Sequence, residues 1–380
     1  MHLIVYLNNI TYIRDIMKIG FLLGKDHKTL PLSELIALLE IYSLNGELTL
    51  LDNYGVLSHE GSIEKSELID IVNNIVRRSA YINEGHIIIF QIEHSESLNK
   101  GLKLLTSRLL QFESKELLNL LNMDSSRDTF AIRVIKMNKR YSNENENISS
   151  MAIERIIGEI IRKKTNAKVN LKNPSKTIKI IISRDRIYVA LLLEKRDKEY
   201  FNKNRPHLRA YFHPGCILPK LARGMVNLAR LKENQILLDP FCGTGGFLIE
   251  GGFIGCKLIG CDIDENMING TLLNLKSYKL ENKIIDLKKI NAQDVIPYLK
   301  SLGINEVDAI VTDPPYGIST SAKGSVEDII NNLGSILKNN GYMVFASFKK
   351  IYLENLKLKE IHELYIHKSL TRYIHIYKKE

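Results

Sequence analysis

Four aspartates stand where a carboxylate can do chemistry rather than solvate a surface. Asp313 opens the run DPPYG (313–317), directly after the β-forming stretch DAIVT. Two consecutive prolines continue neither a helix nor a central strand, so the chain must turn there with its acid at the strand end. Pro314 fixes the corner and contributes a carbonyl oxygen, Tyr316 supplies an aromatic face, and Gly317 lets the chain turn away. This set suits the exocyclic amine of a nucleobase, a poor nucleophile because its lone pair is delocalised into the ring. Acceptors on its N–H bonds, here the Asp313 carboxylate and the Pro314 carbonyl, favour a pyramidal nitrogen. Tyr316 can stack on the base once it is extruded. What remains is alignment of nitrogen, methyl group and sulfur, together with placement of charge. The chemistry requires no metal and no covalent intermediate.

The other three acids point to a cofactor. Asp239 begins the loop DPFCGTGG, in which Gly243, Gly245 and Gly246 open a helix. Glycines there let the backbone approach a ligand, and a helix start offers free N–H groups. A nicotinamide fingerprint spaces its glycines around a pyrophosphate, and a preceding acid is poor company for phosphate. It is good company for the ammonium and sulfonium of S-adenosylmethionine. Asp262, in GCDID, is placed to accept both ribose hydroxyl hydrogen bonds, and Asp294, in INAQD, to accept from the adenine amino group. Asp264 reads as a helix N-cap, and HPG at 213–215 as a helix-entry turn or as a stretch that places backbone or imidazole beside the cofactor.

The elements that must hold these acids alternate from about Ile236 onward. ILLD, KLIGCD, IDLKKI, DAIVTD and YMVFASF read as strands, with FLIEGGFI, NMINGTLLNLKSYKL, VIPYLKSL and SVEDIINNLGSILKNN as helices between them. This spacing predicts an α/β fold with a doubly wound, mostly parallel sheet. ELYIHKS and RYIHIYK add a closing antiparallel hairpin, which favours a Rossmann-like methyltransferase sheet over a dinucleotide-binding one. Upstream, RDTFAIRVIKM, TIKIIIS and RIYVALLLE are strands around the capped amphipathic helix SSMAIERIIGEIIRKK, with NENEN as a loop. Residues 1–115 mix short strands (HLIVYL, GELTLL, HIIIF) with amphipathic helices in an α+β pattern that carries no recognisable chemistry. The expected domains are therefore 1–115, 116–194, a basic linker over 195–212, and a catalytic domain over 213–380.

Charge is concentrated. The chain of 380 residues carries a net +10. Residues 162–186 hold nine Lys or Arg against the single acid Asp185, and residues 201–232 hold seven basic residues and no acid. Both stretches read as a polyanion footprint, with Lys163, Lys164, Lys168 and Lys172 as RNA-binding residues. A chain this long needs two or three domains, and 44% hydrophobic with 25% charged residues is ordinary for a globular protein. No apolar run is long enough to span a membrane. MHLIVYLNN lacks the basic start and cleavage site of a signal peptide and reads as a strand. The four cysteines form no CxxC and fit reduced thiols, so the expected location is cytoplasmic and no metal site is expected.

DPFCGTGG, GCDID and DPPYG, with HPGCILPKLARGMVNLAR upstream, resemble the archaeal tRNA guanosine N2-methyltransferases that modify position 10, and their eukaryotic relatives. The unit from Asp128 to Glu194, including VNLKNPSKTIKI, resembles a THUMP RNA-binding domain. The likeness covers about 125–380, while residues 1–115 match only in pattern the ferredoxin-like domain that precedes THUMP in such enzymes. The resemblance implies methyl transfer from S-adenosylmethionine to the guanine 2-amino group of a tRNA, once or twice. It sets Asp313, Pro314 and Tyr316 at the target amine, and Asp239, Gly243, Gly245, Asp262 and Asp294 around the cofactor. It also implies a partner, since eukaryotic relatives work with a small zinc-binding activator protein. Cys216 and Cys261 stand where the pattern leads one to expect small residues. Two other readings share some of these features. An adenine or cytosine amino-methyltransferase of DNA or RNA uses the same DPPY chemistry, and a non-catalytic RNA-binding scaffold would keep the fold alone.

Overall fold

The computed structural model describes residues 17–59, 61, 63–94, 97–137, 148–315, 325–367 and 370–380. The expected strand HLIVYL, the loop NENEN and Tyr316 lie outside them. Contacts divide the chain into two compact units. One comprises Met1–Leu22, Leu44–Asn73 and Glu84–Lys195. The other comprises Leu23–Ser43, Asn74–Asn83 and Arg196–Glu380, so it draws on three separate stretches of sequence.

The first unit is built on an eight-stranded sheet of order β2-β3-β1-β4-β8-β7-β5-β6. Its strands are β1 (Met17–Leu23), β2 (Gly46–Leu51), β3 (Tyr54–His59), β4 (Ile82–Glu93), β5 (Thr129–Lys136), β6 (Lys168–Val169), β7 (Lys176–Ile182) and β8 (Arg186–Lys195). Helices α2 (Lys65–Arg78), α3 (Leu98–Gln111), α4 (Ser114–Leu120) and α5 (Ser150–Thr165) accompany it, and α1 (Leu30–Ile41) belongs to the second unit. The Ser149 side chain accepts the Ala152 N–H and starts α5, as an N-cap does. Ile153, Ile157 and Ile161, four residues apart, then bury one face of α5 in a cluster with Ile132, Ile178 and Ile180.

The second unit carries a seven-stranded sheet of order β11-β10-β9-β12-β13-β15-β14. Its strands are β9 (Ile236–Asp239), β10 (Lys257–Asp262), β11 (Ile284–Lys289), β12 (Val307–Thr312), β13 (Leu337–Ser347), β14 (Lys357–His367) and β15 (Leu370–Lys378). The first five run parallel, and β14 and β15 close the sheet antiparallel. Its helices are α6 (Glu199–Lys203), α7 (Pro219–Leu228), α8 (Gly246–Phe253), α9 (Glu265–Ser277), α10 (Val295–Ser301) and α11 (Val326–Leu333). Leu237, Leu258, Val311 and Val344 face a core that includes residues of α7 and α8, whereas Leu238, Ile259, Ile310 and Met343 face residues of α10 and α11. With both faces covered, the strands can be continuous apolar runs. One expected helix is shorter than the sequence suggested. A capping box between Ser325 and Asp328 starts α11, but it ends at Leu333, and LKNN joins β13. The pairing of Val307 with Leu337 and the Lys338–Asp308 ion pair at 2.8 Å draw that stretch into the sheet.

α1 is integral to this unit. Leu30 and Ala37 share the core with Met225 and Val226 of α7. Between them the Glu34 carboxylate, fully buried, accepts the Ala80 and Tyr81 N–H groups and the Asn227 amide, each at 2.7 Å. Arg78 in turn donates to the Asn227 side chain and to the Leu231 carbonyl. A buried acid left without such partners is costly, and here its acceptor capacity is met.

Candidate active site

The strand order fixes where a ligand can enter. From β9 the chain steps to β10 on one side, and it later returns to β12 on the other, so β9 and β12 flank the point where the winding reverses. In open α/β sheets the crevice beyond the carboxyl ends of the strands at such a point receives the ligand. Asp239 closes β9, Asp262 closes β10, and Asp313 follows β12. Three carboxylates thus stand at the ends of three adjacent strands.

A cavity of about 140 Å³ opens there, lined by Asp239, the loop from Phe241 to Thr244, Asp313, Met267 and the stretch from His213 to Ile217. Asp239 is almost fully buried. Burial, and then the charges of Asp262 and Asp313, push its carboxyl up to about 8, against the Thr312 hydroxyl and the Phe241 N–H that donate to it at 2.7 and 3.3 Å. A larger groove of about 910 Å³ lies in the first unit, walled largely by β4 residues such as Ile87, Ile89 and Phe90. It brings together no comparable cluster of acids, so chemistry rather than size marks the site.

The glycine loop has the backbone that its sequence demands. Gly243 and Gly245 have φ of 52° and 81°, in the left-handed region that side chains disfavour. A Cβ on Gly245 would press on Thr271, whereas one on Gly243 would meet nothing within 4 Å. The backbone at Gly243 is therefore open to an approaching ligand. Asp262 braces this loop: one oxygen accepts the Gly243 N–H at 2.9 Å and the other the Asp264 N–H at 3.0 Å. Each carboxylate oxygen keeps a further lone pair for a ligand hydroxyl. Asp264 caps α9 through the Asn266 N–H, as its position suggested. Asp294 is exposed at the start of α10 and does not line the cavity. The acids fit a ligand that carries positive charge, and the bare glycine backbone and the helix start fit one that also presents hydrogen-bond acceptors.

Asp313 is 15% exposed, and burial raises its carboxyl to about 6 while Arg372 draws it down. Pro314 is buried and Pro315 exposed. Sequence reasoning passed over several groups here. Thr312 orients Asp239, Arg372 on β15 faces Asp313, and Cys216 donates from its thiol to the His213 carbonyl and lies 3.0 Å from the Thr244 hydroxyl. That last contact lays the HPGC stretch over the glycine loop, so it lines the cavity as well as leading into a helix. The charge-free wording HPGC, next to a long basic run, was the available signal.

The basic residues divide sharply. In the first unit Lys163, Lys168 and Lys172 are exposed, with Lys163 also 3.4 Å from Glu159. Lys164 is committed locally, its ammonium donating to the carbonyls of Leu110 and Phe112 at the end of α3. The expected second footprint over residues 201–232 is reduced: Lys203, Arg205 and Lys232 are exposed, but the other four basic residues are paired or buried. Arg223 pairs with Glu250 at 2.8 Å, Lys220 with Asp26 at 2.6 Å and Arg230 with Glu40 at 3.0 Å, while Arg209 is buried. Acids absent from the stretch itself arrive from elsewhere in the same unit. Among the described residues no group of three or more His, Cys, Asp or Glu side chains is arranged to hold a metal, and no helix is long and apolar enough to cross a membrane.

Residues 115–192 match the THUMP domain family, and residues 206–373 match the RMKL-like methyltransferase domain family. The tRNA (guanine(10)-N2)-dimethyltransferase of Methanocaldococcus jannaschii is 49% identical over 95% of this chain and 99% of its own length. The mouse tRNA (guanine(10)-N(2))-methyltransferase TRMT11 is 28% identical over 68% of this chain and 58% of its own. In fold, the crystal structure of TrmN from Thermus thermophilus covers 96% of this chain, and the chain all of it, with a TM-score of 0.54 at 17% identity.

Proposed function

The chain belongs to the tRNA (guanine(10)-N2)-dimethyltransferase family, and from that premise we propose that it methylates the 2-amino group of the guanine at position 10 of tRNA, forming first N2-methylguanosine and then N2,N2-dimethylguanosine. The observation that carries this reading is the cavity in which Asp239, the glycine loop and Asp313 converge. S-adenosylmethionine, bound there, supplies the methyl group from its sulfonium. Asp239 offers negative charge to the cationic amino-acid end, Gly243 and Gly245 let the backbone close on it, and Asp262 accepts from the ribose hydroxyls. Asp294, exposed at the start of α10, accepts from the adenine amine. Asp313 and the Pro314 carbonyl accept the N–H bonds of the guanine amine, and Tyr316 stacks on the base. Lys163, Lys168 and Lys172 hold tRNA phosphates on the THUMP-containing unit. With a tRNA substrate the reaction takes place in the cytoplasm.

The family leaves the DNA or RNA adenine/cytosine reading and the scaffold reading without support. Incubation of unmodified tRNA transcript with the protein and isotopically labelled cofactor, followed by mass spectrometry of the nucleosides, tests the proposal. Label in N2-methylated guanosines is expected; label in adenosine or cytidine sinks it. The assay is run on the chain alone and then with a small zinc-binding activator protein, so that the need for a partner is read directly. Asp313→Ala should lose about 10²–10³-fold in turnover, as loss of a transition-state hydrogen-bonding group does, with cofactor affinity kept within a few fold. Near-normal turnover would remove Asp313 from the chemistry.

A further inference from the structure

β15 supplied no residue to the site expected from the sequence, yet it brings a cation there. Arg372 Nη2 lies 3.5 Å from Asp313 Oδ2. Strand register explains the meeting. Tyr373 pairs with Ser347 at the end of β13, so Arg372 stands one residue further toward the tip of the β14–β15 hairpin. That is the edge of the sheet where Asp313 leaves β12. Side chains alternate along a strand, which puts Arg372 on the face of Ile374 and Ile376, and Asp313 on that of Ala309 and Val311; all four belong to one core cluster. The two charged groups are 18% and 15% exposed. A guanidinium so withdrawn from water is retained where a counter-charge offsets its desolvation.

We propose that Arg372 is a positioning residue for methyl transfer: paired with Asp313 across the sheet edge, it holds that carboxylate ionised and oriented to accept an N–H of the target amine. The inference rests on the role given to Asp313 above. Other titratable groups stand at the same end of the sheet. Asp239 and Asp262 end the neighbouring strands, His213 and Cys216 line the same cavity, and Lys349 beyond β13 is engaged by Glu327. Burial favours a protonated Asp313, which would offer a donor where an acceptor is needed. Arg372 acts in the opposite sense. Its removal therefore raises the proton affinity of Asp313, and the loss of rate is greatest at low pH.

The test is a pH profile of single-turnover methyl transfer to unmodified tRNA at saturating S-adenosylmethionine, from pH 5.5 to 9. Wild type is run beside Arg372→Gln and Arg372→Lys. In wild type the acid limb should fall near pH 6, where Asp313 takes up its proton. In Arg372→Gln that limb should move up by about one pH unit or more, a deficit of roughly tenfold at pH 6 that shrinks to about threefold or less at pH 9. Arg372→Lys, which keeps the charge, should leave the limb near its wild-type position. A deficit of constant factor at every pH, or a profile identical to wild type, overturns the inference. Thermal melting and calorimetric titration with S-adenosylhomocysteine check that the variants fold, and Arg372→Met serves as the neutral variant if Arg372→Gln does not. An inactive Asp313→Ala beside a pH-independent Arg372→Gln deficit sinks this inference alone, whereas an active Asp313→Ala sinks the reading beneath it.

Discussion

Arg223 and Lys163 carry the same charge into opposite surroundings. Arg223 is 7% exposed, bound to a Glu250 carboxylate that has no contact with water, and its side chain also donates to the Arg78 carbonyl and the Tyr200 hydroxyl. Lys163 is 70% exposed, and its contact with Glu159 is a surface pair one helical turn away. A buried pair is strongly directional and hard to break, because either partner alone is an uncompensated charge. An exposed ammonium contributes little to stability and stays available to a polyanion. At Arg223 charge fixes the geometry of its own unit, whereas at Lys163 it is presented outward.

The sharpest way to test this contrast is Arg223→Ala. It should cost about 3–5 kcal/mol of unfolding free energy, the scale seen when one partner of a buried pair is removed. Denaturant unfolding measures it, and a loss below about 1 kcal/mol would erase the distinction between Arg223 and Lys163.

Asp262→Ala comes next. It removes an acceptor engaged by Gly243 and proposed for the ribose, so cofactor affinity should fall by about 1.5–3 kcal/mol, the range for hydrogen bonds to charged groups. Calorimetry with unchanged affinity would place the ribose elsewhere.

A smaller effect concerns Asp239. Its carboxyl, raised to about 8, is mostly protonated at neutral pH in the free protein. A cationic ligand favours the ionised form, so binding should release a proton, and affinity should rise as pH increases toward 8. Titrations at pH 6.5 in buffers of different ionisation enthalpy should show release of a substantial fraction of one proton, absent in Asp239→Asn. No release in wild type would mean that the ligand's positive charge lies away from Asp239.

The smallest change in the fold, and the one confined to RNA, is Lys163→Ala with Lys168→Ala and Lys172→Ala. Stability should hardly move. Each phosphate that the variant no longer neutralises should take about 0.7–0.9 off the slope of log affinity against log salt. Lys164 stays in place in this variant because its ammonium caps α3. Equal slopes for variant and wild type would turn the outward charge into a merely solvated face.

Much of the catalytic sheet was legible because β9, β10 and β12 are short apolar runs that each lead into an acid. Asp239, Asp262 and Asp313 could be placed at strand ends from those runs alone, and the structure brings them to adjacent positions. The glycine loop was legible for the same local reason. Arg372 was not, since RYIHIYK reads as an alternating strand, and only its pairing with β13 reveals what the arginine faces. The basic stretch 201–232 misled because a local charge count includes only local acids. Its partners Asp26 and Glu40 are 194 and 190 residues away from Lys220 and Arg230. Lys164 differs from Lys163 only in which side of α5 it occupies, and a run of lysines does not display that.

The Glu34 clamp has a consequence for how the chain is made. Glu34 and the Asn227 amide that completes its hydrogen bonding are 193 residues apart. At about 5–20 residues per second, ribosomal synthesis separates them by roughly 10–40 seconds. Over that interval α1 exists without α7, and its buried acid has no amide to meet. The segment Glu84–Lys195, by contrast, is finished before the first parallel strand of the catalytic sheet is made. Vectorial synthesis therefore sets an order: the RNA-binding segment is free to fold early, and the catalytic core waits for α7, in the second half of the chain, before its earliest helix can dock.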